Sequence, residues 1–108
     1  MSVENNKVID AISVNQKDSV VLTISDHLKW DDENEHLIIL QDKINAYLEV
    51  IESGEIYESY PDARDRAFQI DIAFKFPPNE IAIDFLKRVK EILLQSGHEL
   101  HYYQLDYD

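Results

Sequence analysis

Residues 25–62 read SDHLKWDDENEHLIILQDKINAYLEVIESGEIYESYPD. Within this stretch Leu37, Leu40, Ile44, Tyr47, Leu48 and Ile51 recur at helical spacing, and Gly54 supplies a C-terminal stop. Asp32 with Glu35 three residues on is a capping-box-like start, and acids in a first turn favour the positive end of the helix dipole. Asp42, Asn45, Glu49 and Glu52 form a stripe on the opposite side, so one face is core and the other is acid. At ~1.5 Å per residue such a helix runs about 30 Å, long enough to cross a small sheet. Residues 55–62 then make a short turn of helix ended by Pro61.

The flanking segments supply that sheet. Upstream, Val8, Ile9, Ala11, Ile12 and Val14 form one apolar, largely β-branched run and residues 20–24 (VVLTI) another, separated by the turn cluster Asn15-Gln16-Lys17-Asp18-Ser19. Two such runs across about five polar residues read as a hairpin. Downstream, after a polar connector over 63–67, FQIDIAFKF at 68–76 is the clearest strand in the chain. Its alternation places Phe68, Ile70, Ile72, Phe74 and Phe76 on one buried face, and Gln69, Asp71, Ala73 and Lys75 on a wet one. Pro77-Pro78 ends it, and Asn79 caps a second amphipathic helix carrying Ala82, Phe85, Leu86, Val89, Ile92 and Leu93, stopped by Gly97. Leu100–Leu105 reads as a last strand, on which Tyr102 and Tyr103 fall on opposite faces. The order β-β-α-β-α-β predicts a single α+β domain over 1–108, a two-layer sandwich with one four-stranded sheet and two helices on one face. Residues 1–6 are polar and expected to fray. Strand order does not follow from these patterns.

Composition narrows the function classes. From Asp31 to Asp62 there are ten acids and one base, Lys43, so this segment holds −9 of the formal −12. A balance this acidic argues against nucleic-acid binding, which needs clustered Lys and Arg, and suits a basic protein partner. There is no cysteine, hence no thiolate chemistry and no Cys-based zinc site. No run approaches the ~18 apolar residues of a membrane span, and the N-terminus has no secretory n-region. The expected location is the cytoplasm.

Catalytic readings find little material. His27, Asp31, Asp32 and His36 lie within ten residues, but no helical histidine pair is spaced four apart and the acids have capping roles, so no metal site is expected. With only Gly54 and Gly97, each at a helix end, no glycine-rich phosphate loop can be built. Ser25-Asp26-His27 sets three triad residue types side by side, yet neighbours on a strand point to opposite faces. Ser25 and Asp26 read as the end of the second strand, and Trp30 as a ring packed ahead of the first helix. No enzyme and no cofactor is expected.

The block SDHLKWDDENEHLIILQDKINAYLEVIESGEIYESYPDA, preceded by VIDAIS and followed by FQIDIAFKFPP, resembles a family of small uncharacterised bacterial proteins over about residues 7–105. Some proteins similar to it sit among the immunity proteins of contact-dependent growth inhibition and other polymorphic toxin systems. The resemblance implies a cytoplasmic antitoxin that binds a toxin domain, often a nuclease, and blocks it. It brings no binding residues with it.

The residues themselves agree with that implication. A nuclease must be basic to hold a phosphate backbone, and an acidic inhibitor gains electrostatic steering towards it. The expected contact surface is Asp42, Glu49, Glu52, Glu55 and Glu58, with Tyr57 and Tyr60 as aromatic anchors inside a charged rim. A rival surface is the open sheet face around Asp71 and Lys75. The alternative function is a small cytoplasmic interaction or regulatory domain with no toxin partner. A small hydrolase or metal-dependent enzyme stands third.

Overall fold

A computed structural model describes residues 11–30 and 35–105. Strand β1 (Ala11–Val14) pairs antiparallel with β2 (Val20–Asp26). Helix α1 (Glu35–Ser53) follows, then a short helix α2 (Ile56–Ser59) and a 3₁₀ turn (Pro61–Ala63). Strand β3 (Phe68–Phe74) lies parallel to β2, helix α3 (Glu80–Gln95) returns over the sheet, and β4 (Glu99–Gln104) lies parallel to β3. The sheet order is β1-β2-β3-β4. Both parallel connections step the same way along the sheet, so crossovers of the usual right hand set α1 and α3 on the same face. The shared core agrees: Leu40, Ile44, Tyr47 and Ile51 of α1 and Leu86, Val89 and Leu93 of α3 join one cluster with the even-numbered residues of β2 and β3. The α+β two-layer sandwich expected from the pattern is the observed fold.

The local signals act as their chemistry requires. In the hairpin turn the Asn15 carboxamide oxygen accepts from the Lys17 and Ser19 amides, and Asp18 takes a left-handed φ of 66°. The Asn79 side chain accepts from the Ala82 amide at 2.9 Å, capping α3. At the other end of α3, Gly97 sits at φ 82° while His98 N–H reaches the Leu93 carbonyl and Gly97 N–H that of Leu94. That is the paired hydrogen-bond pattern of a left-handed helix stop, a conformation a side chain would strain. Replacing Asn79 with alanine is expected to lower stability by about 1 kcal/mol, read from the urea midpoint.

Several details differ from the sequence expectation. The capping-box start at Asp32 lies outside the described residues. On α1 the buried stripe is His36, Leu40, Lys43, Ile44, Tyr47 and Ile51, while Leu37 and Leu48 are only half-buried. For His36 the sheet offers a partner, Asp26 at the end of β2, described below. On α3 only Ala82, Leu86, Val89 and Leu93 are buried; Phe85 is half-buried and Ile92 is exposed. Strand β3 ends at Phe74, and Phe76, beyond it, is half-buried. Ala73 is buried although it lies on the open face, because it is small and stands in register between Ser25 and the large Tyr103.

Candidate functional site

The acidic surface is built on the solvent side of α1 and continues past its end. Leu40, Ile44, Tyr47 and Ile51 hold one side of α1 on the sheet, and the Tyr47 hydroxyl donates to the Thr23 carbonyl at 3.1 Å. This turns Asp42, Asn45, Glu49 and Glu52 outwards, all exposed. Gly54, at φ 83°, bends the chain into α2, where Glu55 and Glu58 are also exposed. Asn45, Leu48, Glu49, Glu52 and Ser53 line a shallow depression of about 500 Å³. All five predicted acids are exposed, and two of them, Glu49 and Glu52, line the same depression.

Lys43 is the only base between Glu35 and Asp62, and it is completely buried. Its ammonium lies 5.3 Å from the centre of the Tyr47 ring, within cation–π range. The exposed surface of residues 35–62 therefore displays acids and no base.

The two tyrosines are placed differently from the acids. Tyr57 and Tyr60 are half-buried and pack against the core cluster. The Tyr57 ring is tilted against Phe68 at 6.4 Å between centroids, and the Arg64 guanidinium lies 5.4 Å from its centre. Each ring thus spends part of its surface on the fold, and only the remainder adjoins Glu55 and Glu58.

A second cluster, missed in the sequence, lies where β2 hands over to α1. Asp26 shares the parity of Val20, Leu22 and Ile24, so it points to the helix side. There it meets His36, whose Nε2 lies 2.7 Å and 2.6 Å from the two carboxylate oxygens. A carboxylate only accepts, so Nε2 donates. Both side chains are buried, and the Leu28 amide also donates to Asp26 at 3.1 Å. The Trp30 ring stacks on the imidazole at 3.7 Å between centroids, and its Nε1 donates to the Phe76 carbonyl. Trp30 packs, as expected for it. The signal that locates the cluster is spacing: His36 precedes Leu40 by four residues and Ile44 by eight, on the core side of the helix.

This arrangement separates the residue types a triad would bring together. Ser25 and His27 are exposed, whereas Asp26 is buried and held by His36. Of the four residues that suggested a metal site, Asp31 and Asp32 lie outside the described residues, and His36 is engaged with Asp26. Among the described residues no group of three or more His, Cys, Asp or Glu is placed to hold a metal ion. Nor is any helix there long and apolar enough to cross a membrane.

The rival surface is the open face of the sheet. Thr23, Asp71 and His101 form one cross-strand row, and Ser25, Ala73 and Tyr103 the next. Gln69 Nε2 donates to Asp71 at 2.7 Å, and Asn15 Nδ2 to Gln69 at 3.4 Å. Lys75 is exposed beyond the strand. This face carries both signs of charge and no concentration of either.

Residues 1–106 match a family described as a family of unknown function, DUF6572. The chain belongs to this family. No curated protein and no solved structure matches it. For a DUF6572 protein the family name assigns no chemistry, so the site geometry has to supply the functional reading.

Proposed function

We propose that this DUF6572 protein is a non-enzymatic binding protein of the cytoplasm, an immunity protein that neutralises a basic, nuclease-type toxin domain by covering its active site. The contact surface is Asp42, Glu49, Glu52, Glu55 and Glu58 on α1 and α2, with the exposed parts of Tyr57 and Tyr60 at its end. One observation carries the reading. The only base of residues 35–62 is withdrawn into the core, so the exposed part of this segment presents a single sign of charge, bounded at its Tyr57 end by Arg64. A toxin that grips phosphates must present the opposite sign. Long-range attraction between such surfaces raises association by about 10- to 1,000-fold over a neutral pair, and an antitoxin that must act before damage accumulates benefits from speed.

A pull-down with the tagged full chain tests this. Extract from the source cell is loaded at low salt, washed at about 0.5 M salt, where surface charges are screened within a few ångströms, and the eluate identified by mass spectrometry. The expected result is one basic domain at near one-to-one ratio, displaced by added nucleic acid. Recovery of abundant basic proteins alone, such as ribosomal ones, would overturn the reading in favour of a regulatory domain without a toxin partner.

A further inference from the structure

Strand β4 closes one side of the sheet, and its outer edge has no strand beside it among the described residues. Leu105 N–H donates inwards to the Phe74 carbonyl at 2.7 Å. In a parallel ladder a strand bonds its neighbour through alternate residues, so 101, 103 and 105 serve β3. Leu100, Tyr102 and Gln104 direct their N–H and C=O groups outwards. Such a row is a template for another strand, and sheets usually guard it with proline, lysine or a bulge. Residues 99–104 (ELHYYQ) contain neither proline nor lysine, and their register with Gln69–Phe74 runs without interruption. Tyr102 and Tyr103, on opposite faces, are 37% and 46% exposed.

Charge decides which strand fits there. A chain of net charge −12 repels its own copy unless the two meet where the acid is thinnest. β4 carries one acid, Glu99, and α3, the helix packed on β4, sets Lys87, Arg88 and Lys90 against Glu80, Asp84 and Glu91. The acids of α1 and α2 belong to other elements. We infer that β4 is a self-association edge, on which two copies pair antiparallel about a two-fold axis at Tyr102 to make one continuous eight-stranded sheet.

The sequence of β4 is self-complementary in that register. Opposed residues of an antiparallel pair share a face, so Tyr102 meets Tyr102 of the partner subunit on the helix side. His101 meets Tyr103 of the partner subunit on the open side, and Leu100 meets Gln104 of the partner subunit. Glu99 falls opposite Leu105 of the partner subunit, so no like charges oppose each other. Tyr102 then lies at a hydrogen-bonded position, the parity its outward N–H requires, and cross-strand aromatic pairs are among the favourable ones.

Sedimentation equilibrium of the full chain tests the inference. The wild type is expected at twice its 12.7 kDa chain mass. Tyr102→Pro deletes the outward N–H while sparing the ladder to β3, a setting in which an edge strand tolerates proline. Tyr102→Lys keeps the backbone and sets two ammonium groups face to face. Both variants are expected to weaken association at least about tenfold, with tyrosine-free regions of the spectrum unchanged by circular dichroism. The chain has no cysteine, so Tyr102→Cys is expected to give an oxidised dimer, since Cα atoms about 5.5 Å apart at a hydrogen-bonded pair fall within disulfide reach. A wild type that stays monomeric up to about 1 mM overturns the inference. So does a dimer that Tyr102→Lys leaves intact.

Discussion

Replacing His36 with alanine is expected to lower the free energy of unfolding by about 3–5 kcal/mol, because it takes the His36 donor away from a buried carboxylate. The Asp26 carboxylate would remain, with its side chain fully buried and only the Leu28 amide among the donors described above. A domain of this kind has roughly 5–15 kcal/mol in all, so the variant approaches the limit of folding at 37 °C. The loss also removes the imidazole beneath Trp30, so the entry to α1 loosens along with the pair. Urea denaturation measures the midpoint and circular dichroism the melting temperature, which falls roughly 4–8 °C per kcal/mol at this size. Trp30 is the only tryptophan, so its emission should shift to the red before global unfolding. The double variant Asp26→Leu/His36→Leu removes both partners and is expected to be more stable than His36→Ala alone, because no orphaned charge stays behind. A His36→Ala loss below about 1 kcal/mol would mean that the pair contributes little.

The contrast between the two polar surprises on α1 and the rest of the fold shows what a sequence displays. The alternation of Phe68, Ile70, Ile72 and Phe74 set the core side of β3, and Asn79 and Gly97 marked the ends of α3, because each signal is local. Strand order was not local. It depends on two parallel crossovers, each favouring the same hand, and the alternation is the same for any order. The Asp26–His36 pair lay between these cases. Parity put Asp26 with Val20, Leu22 and Ile24, and helical spacing put His36 and Lys43 with Leu40 and Ile44, so their positions were readable. What hid them was residue type: an acid, a histidine and a lysine default to solvent, and for Asp26 and His36 it is their pairing across the fold that reverses that default. The acidic stripe survived the same uncertainty because nothing in the core competes for it. Burial of Lys43 sharpened it by removing the one exposed base that the sequence had allowed.

Reversing Glu49, Glu52 and Glu55 to lysine is expected to slow association with the proposed toxin partner by at least tenfold at low salt, and by as much as about 10³ if steering sets the rate. Each reversal adds two positive charges to a segment whose only base is buried, so the stripe proposed to attract a basic partner would repel it. All three residues are exposed, so the unfolding midpoint should move by no more than roughly 0.5 kcal/mol per site. That separates this test from alanine substitution at Tyr57 or Tyr60, whose rings also support the core and whose loss mixes folding with binding. Stopped-flow association across a salt series discriminates further. The gap between wild type and variant should narrow as the Debye length shrinks from about 10 Å at 0.1 M to 3 Å at 1 M, whereas a lost short-range contact would leave a gap that salt does not close. The same reversal in the opposite sense, Lys87, Arg88 and Lys90 to glutamate on α3, is expected to leave the rate unchanged or raise it. If the α1 reversal leaves both rate and salt slope as they were, the acidic face is not the contact. The mixed-charge open sheet face, with Asp71 and Lys75, then becomes the surface to mutate, and steric fit replaces steering as the basis of recognition.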